Sequence, residues 1–157
     1  MCRRILGIDP GDNTGWAFFK NGSDSVITGT IRIPAKMKKL VHADQIWFLS
    51  SRLNQILRTH KPLVCYIEGV TIWTGSLKSI TSASRGNLIK LAYLVGSYMN
   101  MCNLNGVGVR IVTPQEWKGQ MSKDVVARRV YRVMQKTFDN SHITDAVGIG
   151  LHALDKL

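Results

Sequence analysis

The chain has 157 residues, 45% hydrophobic, and carries 21 Lys+Arg against 10 Asp+Glu for a net charge of +11. That content suits one folded domain, residues 1–157, and excludes a disordered chain; cysteines only at 2, 65 and 102 exclude a disulfide scaffold and favour reduced, buried thiols. No apolar run could span a bilayer and no signal-like stretch precedes Asp9, so a cytoplasmic setting is expected, and the excess charge favours a polyanionic partner, nucleic acid first.

Ile5-Leu6-Gly7-Ile8 is an apolar run stopped by Asp9-Pro10-Gly11, which predicts a buried strand ending in a turn. Thr14–Lys20 predicts a second strand, Asn21-Gly22 a hairpin turn, and the β-branched stretch Ser25–Ile33 a third strand. Three strands joined this closely form an antiparallel meander. Ile46, Leu49, Leu53, Ile56 and Leu57 then recur at helical spacing, with Asp44 in the first turn and Lys61-Pro62 as the stop. Leu63–Ile67 predicts a buried strand ending at Glu68-Gly69. Residues Arg85–Met101 are apolar on most faces, which predicts a helix buried on several sides, in part by a second subunit. Val109–Val112 is a fifth strand, and helices over Lys123–Phe138 and Ser141–Leu157 close the chain. The fold class is α/β, a five-stranded mixed sheet flanked by helices, with no repeat and no internal domain break.

With ten acidic residues in so basic a chain, their placement carries information. Asp9 and Glu68 each follow an apolar strand, and in open α/β sheets ligands gather outside the carboxyl ends of parallel strands. If the two strands are neighbours, both carboxylates reach one rim. Asp145 opens the last helix with His142 one turn earlier on the same face. Three carboxylates and an imidazole in one cluster would raise each other's pKa, and a divalent cation relieves that repulsion. Oxygen-dominated ligation suits Mg2+ or Mn2+, and two such ions about 4 Å apart can clamp a scissile phosphate. In a basic protein this chemistry is that of a metal-dependent nuclease.

The segments I-L-G-I-D-P-G-D-N-T-G at Ile5–Gly15, Y-I-E-G at Tyr66–Gly69 and H-I-T-D-A-V-G-I-G-L at His142–Leu151 resemble the three catalytic motifs of RuvC-type Holliday junction resolvases. Their order and spacing match over essentially the whole chain. The resemblance implies a ribonuclease-H-like fold and a DNA endonuclease of recombination and repair. It also implies a homodimer placing two active sites on a four-way junction, each nicking one of two symmetry-related strands to leave 5′-phosphate and 3′-hydroxyl ends. Asp9, Glu68 and Asp145 match the family's metal-binding carboxylates. His142 matches a fourth position, where many members carry aspartate; imidazole is more at home on Mn2+ than on Mg2+, which leaves the preferred ion open. The resemblance further implies that an aromatic residue after the catalytic glutamate helps open the junction. Ile72 and Trp73 are the candidates, followed by Arg85-Gly86, and Lys123 matches a lysine near the scissile phosphate, with Lys118 as a second candidate.

Lys123, Arg128, Arg129, Arg132 and Lys136 crowd one predicted helix, and Arg128, Arg132 and Lys136 form an i, i+4, i+8 stripe opposite Val126, Val130 and Val133. Lys36, Lys38 and Lys39 make a second basic cluster. Such contacts to phosphate confer affinity and salt dependence without sequence reading. No nucleotide-binding loop or other organic-cofactor motif is present, and a two-domain ATPase needs a longer chain. Two alternatives to a resolvase remain: a less selective nuclease on the same scaffold, cutting flaps or hybrids, and an inactive junction-binding protein.

Overall fold

The computed structural model describes residues 4–22, 25–71 and 86–157. The strands are β1 (Ile5–Asp9), β2 (Asn13–Phe19), β3 (Val26–Arg32), β4 (Val64–Glu68) and β5 (Gly108–Val112). They form one sheet in the order β3-β2-β1-β4-β5. The β3-β2-β1 meander is antiparallel, whereas β1-β4 and β4-β5 are parallel. This is the expected five-stranded mixed sheet, with strand ends within a residue or two of those read from the turn residues.

Alternation along each strand divides the core in two. Leu6, Ile8, Phe18, Cys65 and Ile67 face a first core completed by α1 (His42–His60) and α2 (Asn87–Leu104). Ile5, Ala17 and Phe19 face a second, completed by α3 (Pro114–Trp117), α4 (Lys123–Met134) and α5 (Ser141–Ala153). The helix α1 carries Asp44 in its first turn and Arg58 and His60 in its last, which complements its dipole, and it stops at Lys61 in the left-handed region before Pro62. Cys65 and Cys102 lie in the first core as buried free thiols, as expected, and their mutual hydrogen bond followed by burial pushes the Cys65 thiol far above its ordinary range.

Two expectations need correction. The helix expected to reach Phe138 ends at Met134, because Gln135 turns left-handed and caps Tyr131; Phe138 then folds back onto the second core. Lys136 therefore leaves the Arg128–Arg132 stripe and lies over the Phe138 ring, 5.4 Å from its centroid. The helix expected over Arg85–Met101 is α2, and within a single chain one face of it is buried, leaving exposed the face expected to meet a second subunit. Only Lys90, Leu94, Val95, Tyr98 and Cys102 are buried, and Ile89, Tyr93 and Met99 stand exposed on the opposite face. Likewise α5 stops at Ala153 rather than continuing to Leu157.

Candidate catalytic site

Because β1 and β4 run parallel in the register Ile8–Ile67, the next residues, Asp9 and Glu68, end adjacent strands at the same rim. The start of α5 is brought to that rim by two close approaches. A Cβ on Gly7 would lie 2.3 Å from the carbonyl oxygen of Ala146, and one on Gly15 only 2.0 Å from that of His142. Gly15 is the cross-strand partner of Asp9, so the missing side chain opposite the carboxylate is what admits the helix. Asn140 caps α5, its side-chain oxygen accepting the His142 N–H at 2.9 Å.

His142 Nδ1 lies 2.7 Å from Asp9 Oδ2, and with Asp9 ionised it donates its proton there. Burial pushes the Asp9 carboxyl up from 3.8 to about 6. The His142 hydrogen bond opposes that rise, and the nearby charges of Glu68 and Asp145 reinforce it. Asp145 sits one turn beyond His142 and is half-buried. Glu68 Oε2 accepts the indole N–H of the buried Trp117 at 2.7 Å and has Lys118 Nζ at 3.6 Å. These two partners come from α3, a single turn held by a capping box between Thr113 and Glu116. Gly148 of α5 leaves the space that the Trp117 ring fills, since a Cβ there would stand 2.6 Å from it.

The loop after Asp9 is fastened from beneath by α2. Thr14 Oγ1 donates to the Gly11 carbonyl at 2.8 Å, accepts the Gly11 N–H, and lies 2.7 Å from the buried Tyr98 hydroxyl. With the single Thr14 proton spent on Gly11, Tyr98 is the donor to Thr14. Farther up α2, the buried Lys90 ammonium is 2.5 Å from both Asp12 Oδ1 and Gln45 Oε1. The Gln45 amide faces the carbonyls of Met37, Lys38 and Leu40 and so holds the basic link in place. Sequence reasoning did not identify Trp117, Tyr98, Lys90 or Gly15 as parts of the site. The signals were present: T-x-x-E at Thr113–Glu116 for the α3 cap, and a lone lysine and a tyrosine inside an apolar helix.

The structure thus joins Asp9 to His142, sets Glu68 and Asp145 close enough to act on Asp9 electrostatically, and adds Lys118 to Glu68. Among the described residues no three His, Cys, Asp or Glu side chains converge closely enough to hold one metal ion. His142 is turned onto Asp9, and Glu68 is engaged by Trp117 and Lys118. The donor chemistry nonetheless fits a hard cation, because a half-buried carboxylate whose pKa is raised to about 6 by desolvation and like charge is relieved by one. Lys123, Arg128 and Arg132 are exposed on α4. Ile72, Trp73 and Arg85 lie outside the described residues. No described helix is long and apolar enough to cross a membrane.

Comparison with known proteins agrees with the motifs. The family model described as crossover junction endodeoxyribonuclease RuvC matches residues 5–152. The fold is similar to that of Thermus thermophilus RuvC in complex with a Holliday junction substrate, at 17% identity and a TM-score of 0.73, covering 94% of this chain and 90% of that one. It is also similar to fowlpox virus resolvase in complex with Holliday junction DNA (13% identity, TM-score 0.56, 98% and 99% covered). A third similar structure is the yeast mitochondrial Holliday junction resolvase Ydc2 (15%, 0.57, 96% and 75%). At these identities the structural likeness shows the ribonuclease-H-like fold. No curated protein matches in a sequence search.

Proposed function

The chain belongs to the crossover junction endodeoxyribonuclease RuvC family, whose members are DNA hydrolases, and we propose that Asp9, Glu68, His142 and Asp145 are the site with which it resolves four-way junctions. The observation that carries this assignment is the meeting of all three motifs at one rim, with Asp9 and Glu68 on adjacent parallel strands and His142 on Asp9. Nucleases of this family depend on a divalent metal ion. Asp9, Glu68 and Asp145 would hold it, with His142 as a fourth donor, and two ions of Mg2+ or Mn2+ suit that set. Bound there, metal supplies activation of the attacking water and charge stabilisation at the leaving 3′-oxygen.

The protein's own residues do the positioning. Trp117 fixes the Glu68 carboxylate through Oε2. Lys118 Nζ stands beside that carboxylate, where it can pair with a non-bridging oxygen of the scissile phosphate. With Asp9 ionised, His142 holds a proton at Nδ1 against it, which keeps the imidazole oriented at the rim. Hydrolysis adds water across the P–O3′ bond, giving a 5′-phosphate and a 3′-hydroxyl.

Residues 1–157 act, on this reading, as one nuclease domain that works on DNA inside a bacterial cell or an infected host. A homodimer supplies the two nicks. Its support is the outer face of α2, where Ile89 is 57% and Tyr93 66% exposed and Gly96 leaves open space for a close neighbour. Lys123, Arg128 and Arg132 would contact phosphates, with Lys136, Trp73 and Arg85 as further DNA contacts.

The test uses a labelled four-way junction and a linear duplex of the same sequence, each incubated in Mg2+, Mn2+ or EDTA. Paired, metal-dependent nicks in the junction alone are expected, lost by more than about a hundredfold in Asp145→Asn and Glu68→Gln while junction binding persists. Equal cutting of both substrates would replace resolution by a less selective nuclease. Binding without cutting would leave a junction-recognition protein.

A further inference from the structure

On the face of the sheet opposite Asp9, a cavity of about 420 Å³ opens between β3 and α1. Trp16 and Gly15 are consecutive on β2, so their side-chain positions point to opposite faces; Gly15 meets α5 at the acidic rim, and Trp16 faces α1. The cavity is lined by Trp16, Phe48 and His60 together with Arg32, Arg52 and Gln55, and no carboxylate lines it among the described residues. Its aromatic side is built. Trp16 lies over Gly29, where a Cβ would come within 2.7 Å of the indole, and its ring sits 5.4 Å from that of His60. Its polar side is cationic. Arg52 lies over the Phe48 ring at 5.3 Å and is held by Gln55, while Arg32 is exposed at the end of the edge strand.

We propose that this cavity is a nucleotide site, in which one unstacked base lies against the Trp16 and Phe48 rings and its phosphate meets Arg52 and Arg32. Aromatic rings recognise any base through its π-face, and guanidinium groups recognise phosphate in a bidentate manner. The volume lies near the lower end of the roughly 300–1,000 Å³ range for ligand sites, which suits one nucleotide rather than two. Arg4 bonds the His60 carbonyl, and burial followed by the Arg4 charge lowers the His60 pKa, which favours the neutral ring that stacks without repelling the neighbouring arginines. The nucleotide can come from a displaced DNA strand or from the free pool, and both present the same base and phosphate.

The experiment follows the His60 ring and Trp16 indole signals by NMR in EDTA, titrating the full chain with dAMP, deoxyadenosine, inorganic phosphate and a 5′-phosphorylated single strand. Expected are saturable shifts at both residues with dAMP, weaker binding of deoxyadenosine and of phosphate, and at least about a fivefold loss in Arg52→Glu. Arg52 is exposed on α1, so the thermal melt of that variant should match the wild type and the loss of binding is not a loss of fold. Tighter binding of the single strand assigns the nucleotide to DNA, and equal or tighter dAMP assigns it to the free pool; both support the site. No shift at millimolar dAMP, shifts confined to His142 and Trp117, or full reproduction by phosphate alone would overturn the proposal. The titration needs no metal and no cleavage, so its failure is separable from a failure of the resolvase reading.

Discussion

Replacing Asp9 by asparagine should abolish cleavage and, at the same time, make the metal-free protein more stable at neutral pH. Burial is the main reason the Asp9 carboxyl titrates at about 6 in the folded protein, against 3.8 ordinarily. Below about pH 4 both folded and unfolded chains carry the proton, and the folded state keeps its full advantage. Between those two values the unfolded chain has released the proton and the folded one still holds it, so stability falls as pH rises. Above about 6 the folded carboxyl is ionised too and the contribution is gone. Each tenfold change in proton affinity is about 1.4 kcal/mol, so the loss is roughly 3 kcal/mol. Asparagine never ionises and escapes it. At about 2–4 °C per kcal/mol for a chain of this size, Asp9→Asn should melt up to about 6–12 °C above wild type at pH 7.5 in EDTA. The two should converge near pH 4. Thermal melts from pH 4 to 8 test this, and saturating Mg2+ should raise the wild type alone. A melting difference that does not change with pH, or a variant less stable than wild type at pH 7.5, would refute the assignment of Asp9 as a strained, ion-seeking carboxylate.

Three further outcomes follow from the contacts around that carboxylate. Gly15→Ala places a methyl group against the His142 carbonyl, so the helix start must move; about 1–3 kcal/mol of stability should be lost, and cleavage should fall more than tenfold at unchanged junction affinity, checked by melts, turnover and gel shift. Tyr98→Phe removes a buried donor while Thr14 keeps its bond to Gly11, which should cost about 1 kcal/mol in melts and lower turnover a few-fold without altering DNA binding. Arg128→Ala and Arg132→Ala should each weaken junction binding and reduce the slope of log affinity against log salt by about one; an unchanged slope would remove α4 from the DNA surface.

Much of this site was legible in the sequence because its parts are tied to chain-local signals. Strand ends show in the turn residues after Ile8 and Ile67, and the acids stand immediately beyond. Parallel pairing of β1 with β4 then does the rest. The spacing of His142 and Asp145 is likewise a local, one-turn relation. What escaped notice depends on tertiary packing. Trp117 reaches Glu68 only because α3 folds under α5 at Gly148, and nothing within a four-residue helix announces that destination. The end of α4 at Met134 is set by the return of Phe138 to the core, which overrides the continuing charge stripe.

The helix α2 shows what apolar composition alone leaves out. Its inner face is not simply greasy. Lys90 and Tyr98 project from it to Asp12 and Thr14, the two fastening points of the loop that follows Asp9, and the fully apolar residues Ile89 and Met99 lie outside. A buried lysine is tolerated only with partners, and here both partners serve to fix neighbouring segments: Asp12 the catalytic loop, and Gln45 the link from Met37 to Leu40. The same helix therefore presents an unpaired apolar surface outward and anchors the catalytic loop inward. A second copy packed on Ile89 and Tyr93 would bear on the element that holds Asp9 in register, so dimer formation and the geometry of the acidic site should respond to the same substitutions along α2.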